Sequence, residues 1–296
     1  MGRGTPLASV SILPSASYAM GQEKSSPRRR AAAEVSMQDV FDITDLNAYM
    51  ARRNEEEGIN LKLFHAICTA VAKTVYWRPK LNIFISGNRF WQRKDIVLAF
   101  VVKRTFEDTS EESLMFLTVK PEMTLDSISK KILGEVHELR ENSGKNDIGD
   151  MIEIFAKIPH WLLTIIFKIL GRLEFHGRMP KAFADGDTNY ASVLLSNLGS
   201  IKCGSVYHHL NDYGTNSIVG TIGTAHKALV YGDDGAEHVR DVVDMQMTLD
   251  ERIADGFYFA RSLKLISYLL EHPEELEKPI GEELSPEAVQ AVGGKL

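Results

Sequence analysis

The chain has 296 residues, 44% hydrophobic and 25% charged, with 34 Lys+Arg against 40 Asp+Glu and a net charge of -6. That is a globular composition, long enough to bury a large core, and its acidic balance argues against a general nucleic-acid binder. Two cysteines, Cys68 and Cys203, exclude a disulfide framework or a cysteine-rich zinc site and fit a reducing, cytoplasmic setting.

The first 35 residues mix Gly, Pro, Ser and Ala with Arg28-Arg29-Arg30 and show no sustained periodicity. Residues 1–39 therefore read as disordered or as an extension outside the fold. Their few acidic residues suit a transit peptide, and a mis-called upstream start, with Met37 opening the domain, is an equal reading. The folded domain is expected over 40–281, with 282–296 as a flexible tail.

From Val40 onward, strands and helices alternate. Asp42–Arg53 opens with a cap signal and leads into a helix. Residues 60–77 place Leu63, Phe64, Ile67, Val71 and Val75 at helical spacing, and Arg78-Pro79 stops them. Ile83–Ser86 and Arg89–Gln92 flank Gly87-Asn88 as a hairpin. Residues 95–103 and 113–119 read as strands, Thr124–Leu139 as an amphipathic helix and Glu141–Asp150 as a loop. The apolar run 152–171 reads as a core or interface helix. Glu153, Lys157, His160 and Lys168 interrupt it, so it does not cross a membrane; a peripheral membrane helix is the alternative.

Strands return at Ala191–Leu198, Ser217–Ile222, Ala228–Tyr231 and Val239–Met247, with Asp233-Asp234-Gly235 as a turn. A last helix over 256–271 ends at His272-Pro273. The order of elements, with hairpin-like neighbours, predicts an α/β fold with a mixed sheet.

The chemistry is narrowed first by what is missing. There is no phosphate-binding Walker loop, no dinucleotide fingerprint, no His-Glu-x-x-His and no Gly-x-Ser-x-Gly elbow. His208-His209 would point to opposite faces of a strand, and no metal site is expected around them. Two segments carry candidate chemistry. Leu195-Ser196-Asn197-Leu198-Gly199 is a strand end breaking into a turn, where a Ser hydroxyl can donate to a developing oxyanion. It reads equally as a turn bonded to its own backbone. Asp250-Glu251-Arg252-Ile253-Ala254-Asp255-Gly256 is a strand end opening a helix, where a buried carboxylate can act as a base and Asp255 can cap the helix.

In order and wording, these segments resemble the catalytic domain of the dihydrolipoyl acyltransferases of 2-oxoacid dehydrogenase complexes, which shares the chloramphenicol acetyltransferase-like fold. The resemblance begins at Val40-Phe41-Asp42-Ile43-Thr44 and continues through Arg78-Pro79-Lys80-Leu81-Asn82 and Asp95–Val102. It then takes in Leu195–Gly199, Asn216–Gly223 and Asp250–Gly256, the last resembling the family's Asp-His-Arg-x-x-Asp-Gly. It implies a two-layer sandwich with helices on one face of the mixed sheet. It also implies a homotrimer whose active site lies between subunits, and transfer of an acyl group from a coenzyme A thioester or other acyl-thiol.

By the same resemblance, Ser196 stabilises the oxyanion, Asn197 and Gly199 bind substrate, and Asp255 orders the site through a buried charge pair. The position of the family's catalytic His is Glu251. An ordinary glutamate, pKa ~4.3, faces a thiol near ~8.5, a proton transfer uphill by about 6 kcal/mol unless burial narrows the gap. The base is then Glu251 or a relocated His208 or His209. Without one, the chain would be a non-catalytic scaffold or acyl-CoA-binding descendant. No bound cofactor is expected, and residues 1–39 are too short for a lipoyl domain of roughly 80 residues.

Overall fold

The computed structural model describes residues 10–12, 30–87, 89–103, 112–141, 158–232 and 235–294. The expected loop 141–150 and the start of the apolar run at 152–157 fall almost wholly outside them. So do Asp233-Asp234 of the expected turn and most of residues 1–29.

One mixed sheet organises the molecule. Its strands are β2 (Glu34–Asp42), β5 (Ile96–Lys103), β6 (Glu112–Val119), β7 (Val193–Asn197), β8 (Ile218–Ile222), β9 (His226–Tyr231) and β10 (Glu237–Asp250). They run in the order β2-β10-β8-β7-β5-β6, with β9 paired to β10. β5, β7 and β8 are parallel neighbours, and the remaining pairings are antiparallel. A second sheet joins β1 (Val10–Ile12), β4 (Arg89–Arg93) and β3 (Ile83–Ser86). The expected hairpin forms, with Ile83 opposite Gln92 and Ser86 opposite Arg89.

Four helices build the second layer: α1 (Thr44–Glu57), α2 (Leu63–Trp77), α3 (Leu125–Glu141) and, near the C-terminus, α6 (Gly256–Glu271). Between α3 and α6 lie α4 (His160–Phe175) and the short α5 (Lys181–Ala184). Helix α2 packs against α3, α6 and β5, and its buried Ile67, Val71 and Val75 join Leu98, Leu117, Val243, Leu265 and Ile266 in the main core. The apolar spacing read in the sequence is thus the face turned to the sheet. The expected α/β two-layer arrangement is present.

Three expectations give way. The fold does not begin at Val40: β2 pairs along β10 from Glu34, and Arg30 is already buried. Its guanidinium donates to the carbonyls of Asn211 (2.7 Å) and Gly214 (2.6 Å), so a residue of a basic, low-complexity stretch serves as an anchor. The stretch 282–296 is not a loose tail through its described part. After α7 (Glu274–Glu277), α8 (Pro286–Ala291) packs on α6 and buries Leu284, Ala288 and Val292. Ser285 caps that helix by accepting from the Ala288 amide, with Pro286 at its first position. Three small or single apolar groups suffice to dock it, a signal too sparse for periodicity to show.

The third correction concerns the apolar run. Helix α4 buries no residue; Trp161 is 66% exposed and Phe167 59%, with Ile165, Ile169 and Phe175 also open. It is not a core helix of this chain. Its C-terminal end sits on the β3–β4 turn, where Gly87 has φ +59 and a Cβ would strike the Phe175 carbonyl. Gly87→Ala is therefore expected to cost ~1–3 kcal/mol, read as a lowered midpoint in urea unfolding with the slope unchanged.

Candidate active site

Strand β7 ends at Ser196-Asn197 and turns through a 3-10 segment, Leu198–Ile201. The turn is closed by Ser200, whose hydroxyl donates to the Asn197 carbonyl at 2.8 Å. Among the described residues the Ser196 hydroxyl has no hydrogen-bond partner, so the turn does not consume it. A Cβ at Gly199 would collide with the Gly223 carbonyl, so this glycine lets the turn lie against the loop after β8. It packs there rather than lining the cavity described next.

Ser196 and Asn197 line a cavity of about 560 Å³ between the ends of α2, α3, β5 and the 198–201 turn. That volume is in the range of small-molecule sites. Its walls are mainly apolar, with Phe64, Phe100, Met115, Ile132, Val136 and Leu198. The polar groups besides the β7 end are few: Asn60, Lys62, His65, His137 and Ser200.

His65 went unnoticed in the sequence, where it sits inside an apolar helical run. It occupies the third position of α2 and is 2% exposed. Its Nδ1 accepts from the Lys62 amide (3.3 Å), in a capping box. The Ser129 hydroxyl of α3 lies 2.8 Å from the same nitrogen and, with Nδ1 already an acceptor, donates to it. This arrangement keeps the ring proton on Nε2. Burial, with Lys62 nearby, lowers its pKa to about 4.

Unfolded His65 takes up a proton through pH ~6.5, and the folded ring resists it until about 4. Stability is intact above ~6.5 and is lost as pH falls through that window. Denaturant unfolding at pH 7 and pH 4.5 should show wild type losing about 2 kcal/mol more than His65→Gln. Equal losses would place the ring's proton elsewhere.

The second candidate segment lies at another place on the sheet. Ser196 is opposite Thr221, Thr221 opposite Gln246, and Glu251 is five residues beyond, roughly 17 Å along the strand. Within one chain Ser196 and Glu251 are not brought together. Glu251 is exposed among the described residues, its amide donating to the Ala33 carbonyl.

The charge pair also differs from the expectation. Asp255 is exposed and caps α6 by accepting from the Tyr258 amide at 2.8 Å. The buried carboxylate is Asp250, 0% exposed. Arg252 grips it with Nε to Oδ1 and a terminal nitrogen to Oδ2, both at 2.7 Å, and Arg30 Nε lies 3.7 Å away. Burial lowers the pKa of Arg30, and Asp250 partly restores it.

His208 and His209 lie on an irregular segment, not a strand. Their rings stack at 5.2 Å instead of pointing to opposite faces, and both are exposed. The segment crosses from Thr221, whose hydroxyl donates to the Val206 carbonyl, to Glu34, which accepts from the Leu210 amide. Neither histidine lines the Ser196 cavity. Among the described residues no cluster of His, Cys, Asp and Glu could hold a metal, and no helix is long and apolar enough to cross a membrane.

Residues 178–277 match the family model "2-oxoacid dehydrogenases acyltransferase (catalytic domain)". A curated relative is the lipoamide acyltransferase component of the branched-chain alpha-keto acid dehydrogenase complex of Bacillus subtilis. It is 25% identical over 240 residues, 79% of this chain and 46% of the relative. The chain thus spans about half the length of that protein. Two solved structures share the fold. A dihydrolipoamide acetyltransferase of Azotobacter vinelandii has TM-score 0.60 and 16% identity, covering 87% of each chain. A probable dihydrolipoamide acetyltransferase of Listeria monocytogenes has TM-score 0.58 and 17% identity, covering 86% of this chain and 88% of that one. The chain is therefore similar to the 2-oxoacid dehydrogenase acyltransferases: residues 178–277 match the model of their catalytic domain, and the fold is shared with two dihydrolipoamide acetyltransferase structures over most of its length.

Proposed function

We propose that this protein is an acyltransferase that moves an acyl group between a coenzyme A-type thioester and an acceptor thiol. The observation that carries the reading is a Ser196 hydroxyl, without a hydrogen-bond partner among the described residues, lining a largely apolar 560 Å³ cavity within the stretch matching the acyltransferase catalytic domain. In the reaction, a base takes the proton of the acceptor thiol, and the sulfur attacks the thioester carbonyl. Ser196 donates to the oxyanion of the tetrahedral intermediate, and Asn197 lies beside it to orient the substrate. Collapse breaks the bond to the coenzyme A sulfur, which leaves with the proton held by the base.

The base in this proposal is Glu251 of a neighbouring subunit in a homotrimer. Its exposure, and its distance from Ser196 within one chain, suit a group completed by a second copy. Closure by the partner would supply the burial that a carboxylate base requires. His208 and His209, at the same end of the sheet as Glu251, are the alternative bases. Asp255 acts at a remove, by fixing the start of α6. The free thiols Cys68 and Cys203 fit a cytoplasmic setting.

The test is thiol release from a panel of acyl-CoAs with dihydrolipoamide and simple amines as acceptors, alongside light scattering. Turnover by a trimer, abolished by Glu251→Gln, is the expected result. Turnover that survives Glu251→Gln removes that residue from the mechanism. A folded trimer that binds acyl-CoA and turns over no pair would instead be a non-catalytic binding protein.

A further inference from the structure

The mechanism leaves one buried group of the cavity unused. His65 lines the same cavity as Ser196, on a wall otherwise built from Phe64, Phe100 and Ile132. Its Nδ1 is occupied twice, by the Lys62 amide and the Ser129 hydroxyl. Among the described residues its Nε2–H has no partner. Nε2 is not among the sealed unpartnered polar atoms of the described residues, so this N–H stays reachable from the cavity, and such a donor is rarely left unmade. The cavity that the ring faces is the remaining place for an acceptor.

We propose that the cavity is a ligand pocket for an uncharged, apolar chain bearing one carbonyl, and that His65 positions that ligand by donating Nε2–H to the carbonyl oxygen. This rests on the acyltransferase reading and goes further in naming the chemistry of the group selected. A neutral donor matches a neutral acceptor. A carboxylate would have to leave water for a mainly apolar cavity and would pair with Lys62, so it is not the ligand matched to the neutral Nε2–H. The shared chemistry is a carbonyl on an aliphatic chain, either the thioester of the acyl donor or an amide on the acceptor. Ser129 is a positioning residue, since it holds the ring in the tautomer that donates.

The experiment is titration of the full chain, labelled with ¹⁵N-histidine, with four probes. These are hexanoyl-N-acetylcysteamine as the thioester, lipoamide as the amide, hexanoate as the charged control and hexanethiol as the control without a carbonyl. Calorimetry on wild type, His65→Phe and Ser129→Ala runs in parallel. Expected are an unligated ring protonated on Nε2 alone, and an Nε2 resonance that moves with the thioester or the amide. Whichever of the two moves it identifies the source of the carbonyl.

His65→Phe and Ser129→Ala should each weaken that probe about 3- to 10-fold and leave hexanethiol unchanged. The wild-type titration stands if His65→Phe does not fold, since it needs no variant. An unmoved Nε2 resonance at saturation, or equal affinity for hexanethiol and the carbonyl probes, overturns the proposal. Because binding is read without turnover, ligand recognition by His65 in a chain with no transferase activity would sink the enzymatic reading alone.

Discussion

Replacing Asp250 by alanine is expected to destabilise the fold by about 3–5 kcal/mol, the cost of leaving buried cations without their anion. The site explains why the figure belongs at this end of the range of single substitutions. Asp250 is fully buried, Arg252 holds both its oxygens, and Arg30 faces it from the segment before β2. Removing the carboxylate leaves two guanidinium groups that repel each other, in a place where burial already works against the charge on Arg30. For a domain of this size the loss corresponds to a fall in melting temperature of roughly 6–20 °C. Asp250→Asn keeps the shape and tests the charge alone. If differential scanning calorimetry put both variants within ~1 kcal/mol of wild type, the cluster would not be holding the first strand in place.

Ser196→Ala is expected to lower kcat by about 100- to 1000-fold while KM changes little, as for loss of one donor that acts on the transition-state oxyanion. The hydroxyl makes no other bond among the described residues, so folding stability should stay within ~0.5 kcal/mol. This separates the variant from Asp250→Ala, which should lose stability first and activity only through it. Steady-state kinetics over a range of acyl-CoA concentrations decide the point. A rise in KM at constant kcat would make Ser196 a ground-state contact and move oxyanion stabilisation elsewhere.

Much of the fold could be read in the sequence because its elements obey simple periods. Helix α2 shows Ile67, Val71 and Val75 on one face, and Gly87-Asn88 joins two strands at hairpin spacing. What escaped has physical causes too. The anchor at Arg30 is made with backbone carbonyls about 180 residues away, and no local pattern encodes such partners. The anion of the buried cluster could not be chosen by spacing, since Asp250 and Asp255 share one short segment and only burial separates them. His65 had a usable signal, a lone imidazole among Leu63, Phe64, Ala66 and Ile67 on a helix face that had to be buried. Its partner Ser129 lies on another helix, and that pairing belongs to tertiary structure.

The pairing of β2 with β10 has a consequence for the order in which the chain can fold during synthesis. Phe41 lies opposite Val243 and Val35 opposite Leu249, so the first long strand waits for a partner made roughly 200 residues later. At ~5–20 residues per second that wait is roughly 10–40 s. Throughout it the nascent strand carries unpaired backbone groups and the apolar Val35, Met37 and Phe41, the features of an edge open to foreign strands. The helices can form early, but the sheet edge closes only when the ribosome has passed Asp250. Slow strand closure across the whole chain is built into this topology.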